Sequence, residues 1–169
     1  YAKVYVKSDD AGKPEMVVLP IQGYGLWGTI YGFLTLESDM NTIKGISFYE
    51  HKETPGLGAR IEEPEWRAKW SGIHSYDENG NVATGVTKAG TPKENWVDGI
   101  SGATLTGRGV SNMIQFWLGE QGYKPYLDAL REENGQSIDN AEVQAAQLND
   151  QTAQPTTELV VPVANGKEA

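Results

Sequence analysis

The chain contains no cysteine. This excludes disulfides, thiolate nucleophiles, iron–sulfur ligation and cysteine zinc sites, and it leaves the redox compartment open. Histidine occurs only twice, as His51 and His74, which are too far apart to form a metal-spaced pair. Positive charge is scarce: 14 Lys and Arg stand against 23 Asp and Glu, for a net charge of −9. That balance argues against a nucleic-acid partner, whose phosphates need Lys and Arg. It argues equally against passive adhesion to an anionic lipid surface. No apolar run comes near the roughly 20 residues that span a bilayer. No Gly-x-Gly-x-x-Gly lies between a strand and a helix as a nicotinamide site would need, there is no Gly-x-Ser-x-Gly elbow, and no internal repeat is found.

What is present fits one domain with a tail. The 169 residues are enough to bury a core, and 38% of them are apolar. The chain opens on Tyr1 rather than Met, so it reads as an excised or processed piece with room for a membrane anchor upstream. Ala2–Lys7 and Glu15–Leu19 have strand character. Pro20–Gly28 carries three glycines in Gly23-Tyr24-Gly25-Leu26-Trp27-Gly28 and reads as a shaped loop. Thr29–Leu36 and Thr42–Tyr49 read as a hairpin around Ser38–Asn41. A second Gly/Pro loop covers His51–Gly58. Glu62–Trp70 has helical character, with Pro64 near its first turn and Trp66 and Trp70 one turn apart. Asp77–Asn81 is a turn, and Val82–Lys88 is a strand candidate. A helix is expected from Thr106 to Glu120, with Val110, Met113, Ile114, Trp117 and Leu118 at helical spacing. A short helix is expected at Tyr123–Arg131.

From Glu132 onward, Gln, Asn, Asp, Glu, Thr and Ala dominate and aromatics vanish. Ile138–Leu148 reads as a weak helix and Gln151–Ala169 as a mobile tail. The expected division is a folded unit at 1–131 and a polar, weakly ordered C-terminal extension at 132–169. Strands fall mainly before helices, which predicts an α+β fold with an antiparallel-rich sheet and packed helices.

The most informative segment is Asp98-Gly99-Ile100-Ser101-Gly102-Ala103-Thr104. Ser101, Gly102 and Ala103 leave the backbone open around Thr104. The helix expected just beyond offers free N–H groups and the positive end of its dipole, which suit a phosphate. On its own the string also fits a plain loop and helix cap. Three motifs in order narrow this. The Asp98–Thr104 segment followed by Leu105-Thr106, the Gly23–Gly28 loop, and His51-Lys52-Glu53-Thr54-Pro55-Gly56-Leu57-Gly58 form the set. Together they resemble the covalent FMN-binding domain family carried by the C subunit of sodium-translocating NADH:quinone reductases. The G subunit of the Rnf complex is a relative. The resemblance runs from about Val17 to Arg131.

The resemblance implies FMN joined by a phosphoester to Thr104, on a periplasmic domain hung from an N-terminal transmembrane helix in a bacterial inner-membrane complex. It implies electron transfer between redox centres of that complex, with the other membrane subunits as partners and an FAD-dependent flavin transferase acting during maturation. Ser101, Gly102, Ala103 and Thr106 would line the phosphate, with Thr106 adding a hydroxyl or a helix cap. Glu53 and Thr54 would face the ring edge or ribityl chain, and Leu57 and Gly58 would give apolar contact and close backbone approach. Trp27 is expected either to stack on the isoalloxazine ring or to be core. Lys88 is expected either near the N1/C2 edge or as a solvated strand end. Asp98 and Gly99 are assigned to recognition by the transferase. No residue is assigned to catalysis or to a metal. His51 and His74 are expected at the surface, and Trp66 and Trp70 in the core. The competing functions are an Rnf-type subunit and a flavin-free extracytoplasmic binding module. A hydrolase acting through Ser101 or Thr104 lacks a base at suggestive spacing.

Overall fold

The structure, a computed structural model, describes residues 2–144 and 157–161. Burial alternates along β1 (Ala2–Ser8), β2 (Pro14–Tyr24) and β3 (Thr29–Glu37) with the two-residue period of a half-covered sheet. Val4 and Val6, Val17, Leu19 and Ile21, and Ile30, Leu34 and Leu36 all point to one side and are buried. In β4 (Ile43–Glu50) the step from Ile43 to Ile46 is three residues, yet both face the core. The pairing register shifts between Thr35 and Leu36, which absorbs the extra residue. β5 (Thr157–Val161) completes an antiparallel sheet of order β4-β3-β2-β1-β5.

One face of the sheet is covered by helices. α1 (Pro64–Ala68) follows a 3₁₀ turn at Gly58–Glu62. α2 (Thr104–Leu118) crosses β2 and buries Val110, Met113, Ile114 and Leu118. At Gly23 a Cβ would come within 2.7 Å of Met113 Cβ, so glycine is what lets helix and strand meet there. The Trp117 indole N–H donates to the Gln22 carbonyl at 2.7 Å, and the Tyr123 hydroxyl donates to the Pro20 carbonyl at 2.6 Å. α3 (Lys124–Gln144) then runs on beyond the core. The α+β architecture with an antiparallel sheet is as expected.

Five expectations about local structure are corrected. Pro20–Tyr24 belongs to β2 rather than to a loop. Proline is tolerated within the strand because Pro20 lies past Val18, where the pairing with β1 stops, and its carbonyl is taken by Tyr123. The helix expected over Glu62–Trp70 is split in two. Glu63, the residue before Pro64, is held extended at ψ 128°, so the 3₁₀ turn stops and α1 starts afresh. Val82–Lys88 forms isolated bridges and no strand. Its Val86 amide donates to the Ser111 hydroxyl of α2 at 3.1 Å, and the Thr87 amide donates to the Val97 carbonyl at 2.9 Å. The helix expected to end at Arg131 continues to Gln144, and the weak helix at Ile138–Leu148 falls partly within it, the rest lying outside the described residues. Within the expected tail, Thr157–Val161 forms β5, held to β1 by a five-residue antiparallel register with a Lys3–Glu158 ion pair at its surface, and the rest of Gln151–Ala169 lies outside the described residues.

Trp66 and Trp70 are core, packed edge to face at 5.9 Å. Tyr76 is buried and donates its hydroxyl to the Leu118 carbonyl at 2.8 Å, which ties the C-terminal end of α2 to the turn region. Tyr76→Phe leaves that carbonyl without its partner. A loss of about 1–2 kcal/mol in urea denaturation is expected.

Candidate functional site

Thr104 is the first residue of α2 and is exposed. The segment before it is pinned from below by buried Ile100 and Ala103 and turned by Gly102, whose φ is +78°. The Ala103 amide closes that turn onto the Ile100 carbonyl at 3.0 Å. Ala103 is the N-cap and has only a methyl group to offer. The amides of Thr104, Leu105 and Thr106 therefore find no acceptor among the described residues. These orphan donors and the helix dipole lie beside the Thr104 hydroxyl, and together they suit an anion. The helix begins two residues earlier than expected, so Thr106 is not its cap.

Thr106 instead turns inward. It is buried and donates its hydroxyl to Glu53 Oε2 in a short hydrogen bond. Glu53 is itself only 5% exposed. Its carboxylate also accepts the Leu26 amide at 3.1 Å and the Trp27 amide at 3.0 Å. The side chain expected to face a ligand thus meets three donors of the protein itself. His51 is the other surprise. Its side chain is 8% exposed, Nδ1 accepts the Glu53 amide at 3.1 Å, and Nε2 lies 3.0 Å from Glu62 Oε1. Burial alone would raise the Glu53 pKa. The hydrogen bonds from Thr106, Trp27 and Leu26 outweigh it and hold the carboxyl below its ordinary 4.5. A depressed carboxyl contributes stability above its unfolded pKa and loses it as pH falls through the folded one. Acid titration of the denaturation midpoint is therefore expected to show a loss below pH 4.5 that is shallower in Glu53→Gln.

The segments that meet at this site carry exposed apolar side chains. Trp27 is 63% exposed, Leu26 and Leu57 are each 46% exposed, and Leu105 is 52% exposed. Trp27 is not core. It lies on the turn joining β2 to β3, so Gly23–Gly28 spells Gly-x-Gly-x-x-Gly without a helix to follow it. Leu57 is presented by the turn Thr54-Pro55-Gly56-Leu57. Gly56 takes φ +74° there and the Leu57 amide bonds the Thr54 carbonyl at 3.1 Å. Leu57 reaches the attachment segment, since a Cβ on Gly102 would come within 3.2 Å of its Cδ2. Thr54 is exposed on the same turn, and Gly58 is buried behind it against Glu53 and Thr106. The structure therefore brings together Thr104, Ser101, Gly102, Ala103, Leu57, Gly58, Glu53 and Thr106, with Trp27 tethered through its amide.

Asp98, Gly99 and Lys88 belong to a second edge of the segment. The Asp98 carboxylate accepts the Gly90 amide at 2.9 Å, and its carbonyl accepts the Trp66 indole N–H at 3.0 Å. Lys88 is exposed in the turn Lys88–Thr91, not at a strand end, and Gly99 packs on this turn, where a Cβ would come within 3.0 Å of the Ala89 amide. A cavity of about 300 Å³ opens here, lined among others by Arg60, Trp66, Lys69, Asp98 and Ser101.

A one-sided antiparallel sheet, an uncapped helix start bearing an exposed hydroxyl and a rim of exposed apolar side chains define a cofactor platform. The cofactor follows from comparison. A family model described as an FMN-binding domain matches residues 25–119, and the chain belongs to that family. It is similar to the C subunit of the Na(+)-translocating NADH-quinone reductase of Pseudomonas aeruginosa, with 45% identity over 136 residues that cover 78% of this chain and 52% of the relative. The corresponding protein of Vibrio parahaemolyticus is 48% identical over 126 residues, 73% of this chain and 47% of the relative. Among solved structures, Shewanella oneidensis NqrC superposes with a TM-score of 0.71 at 42% identity, covering 78% of this chain and 61% of that one. The corresponding structure from Parabacteroides distasonis gives 0.65 at 37% identity, covering 73% and 61%. The chain spans about half the length of the curated relatives it matches. The family resemblance read from the three motifs is borne out.

Proposed function

We propose that the chain is the FMN-carrying, electron-transfer part of the C subunit in a sodium-translocating NADH:ubiquinone oxidoreductase, with the flavin joined covalently to Thr104. The observation that carries this is the coincidence of an exposed threonine hydroxyl with an uncapped helix start. A phosphate esterified to Thr104 would meet the free amides of Thr104, Leu105 and Thr106 and take the place of the missing cap. Ser101, Gly102 and Ala103 keep side-chain bulk away from it. Leu57, Trp27 and Leu26 give apolar surface of the kind an isoalloxazine ring packs against. FMN supplies the redox centre when bound, and the chain's own residues orient it and keep part of it open to partners.

Attachment needs an outside catalyst, because a threonine hydroxyl is a weak nucleophile and no base bonds to that of Thr104 among the described residues. An FAD-dependent flavin transferase fits that need. Thr104 Oγ bonds to the FMN phosphorus, the pyrophosphate bond breaks, AMP leaves, and the hydroxyl proton passes to the transferase. In this scheme Asp98 and Gly99 shape the edge that the transferase approaches, and Lys88 stands on the same edge. The donor and acceptor are the other membrane subunits of the complex. The domain faces the periplasm of a bacterial inner membrane from an anchor upstream of Tyr1, where a covalent bond prevents loss of the flavin. The flavin-bearing unit is taken as 1–131, with the polar extension from 132 adding β5 to its sheet. The test is the intact mass of the chain after co-expression with the transferase. A gain of one FMN less water supports the proposal. No gain, with the transferase active on a control substrate, refutes it.

A further inference from the structure

We propose that Glu53 is a positioning residue of the flavin platform: its buried carboxylate clamps the Leu26–Trp27 turn to the first turn of α2, so that the apolar rim keeps a fixed register with Thr104. In naming the flavin this rests on the function proposed above. The clamp itself stands on the geometry.

Two segments distant in sequence, Leu26–Trp27 and the start of α2, converge on one carboxylate supplied by a third. Oε1 accepts from the Trp27 amide, while Oε2 accepts from the Leu26 amide and the Thr106 hydroxyl. Thr106 is two residues beyond the attachment point, so the clamp spans from the rim to the anchor. The space is built for it. A Cβ on Gly25 would stand 2.5 Å from Oε1, and one on Gly58 would stand 2.5 Å from the Thr106 hydroxyl and 3.0 Å from Oε2. Glycine on both sides lets backbone close over the charge. His51 steadies the same loop from behind by accepting the Glu53 amide.

A carboxylate is the side chain this arrangement requires. All three protein groups that meet it are donors, and an ionised carboxylate is acceptor-only. Glutamine fills the same volume but turns an NH₂ toward one of those donors. The Trp27 turn makes one backbone bond of its own, Gly25 to the Gly28 carbonyl at 2.8 Å, so its outer half depends on Glu53.

The test uses the full chain, first without flavin. Amide hydrogen exchange at Leu26 and Trp27 is measured by NMR in the parent, Glu53→Gln, Thr106→Val and Thr106→Ser. Glu53→Gln is expected to lose protection at these amides by on the order of tenfold, as for a hydrogen bond to a charged group. Thr106→Val is expected to loosen them less, and Thr106→Ser to restore the parental rates. The flavin-loaded chains are then compared. Glu53→Gln is expected to carry the same added mass as the parent but with altered flavin emission and visible circular dichroism. Unchanged exchange at both amides overturns the clamp. Unchanged flavin spectra at full loading overturn its role in positioning and leave Glu53 a structural carboxylate. If Glu53→Gln fails to fold, the Val and Ser variants at Thr106 decide by the same two readouts. If the parent itself takes up no flavin, the flavin assignment falls, and amide exchange still decides the clamp.

Discussion

Thr104→Ala, co-expressed with the flavin transferase, is expected to emerge at its unmodified mass, while the parent gains one FMN less water. The effect is all or none because the substitution removes the only atom to which the phosphoester is assigned. It should do so without disturbing the fold. Thr104 is exposed, stands at the first helical position, and its side chain bonds to nothing among the described residues. Alanine is also the better helix former, so stability should stay within about 0.5 kcal/mol of the parent. Loss of flavin then reads as loss of the anchor. Thr106→Ala is a poor control, because Thr106 is buried and committed to Glu53. Ser101→Ala is the informative one, since Ser101 is exposed in the same segment. A mass gain that survives in Thr104→Ala and disappears in Ser101→Ala would move the anchor three residues back.

Gly109→Ala is expected to be the most disruptive single methyl in the chain's site-bearing region. A Cβ there would lie 2.2 Å from the Tyr24 carbonyl oxygen and 3.1 Å from Gly25 Cα, which are backbone atoms that no rotamer change can move aside. Helix propensity alone would favour alanine by about 1 kcal/mol. The clash outweighs it, because either α2 or the β2–β3 turn must retreat, and overpacking of this kind costs about 1–3 kcal/mol. The same retreat pulls the Trp27 turn away from Glu53, so flavin environment and stability should change together. Gly45→Ala is the matched control. Nothing lies within 4 Å of its added Cβ, and a change within about 0.5 kcal/mol is expected in the same urea titration.

These two glycines show what the sequence carries and what it conceals. The period-two runs of β1 and β3 and the spacing of Val110, Met113, Ile114 and Leu118 were legible, because burial writes its period directly into residue order. Thr104 was legible because the small residues before it and a helix after it are local features. Gly107 and Gly109, two poor helix formers inside α2, are a local hint of close approach, but not of what approaches. The Glu53–Thr106 bond joins residues 53 apart, and no spacing rule anticipates it. His51 is hidden for the same reason, since a loop histidine among polar neighbours gives no sign that its ring is enclosed. Val82–Lys88 has strand composition, yet it makes only isolated bridges and its Val86 amide goes to a helix hydroxyl, a choice made by tertiary packing over propensity. β5 lies in polar sequence that patterning reads as tail. Its stabilising partner is β1, at the other end of the chain.

The sheet register also fixes a direction. β1 pairs Tyr5 with Val18 and runs antiparallel to β2, so Ala2 is level with the region just before the end of β2 at Tyr24. About three residues, roughly 10 Å of strand, separate that level from the Trp27 turn. The hairpin between β1 and β2 lies at the opposite end. If the chain hangs from a tether upstream of β1, as proposed, the tether and the redox face leave the domain from the same end. The domain would then behave as a pendant with its working face turned toward its own leash. Rotation about the tether would sweep that face across nearby partners, and the opposite end would face away into solvent.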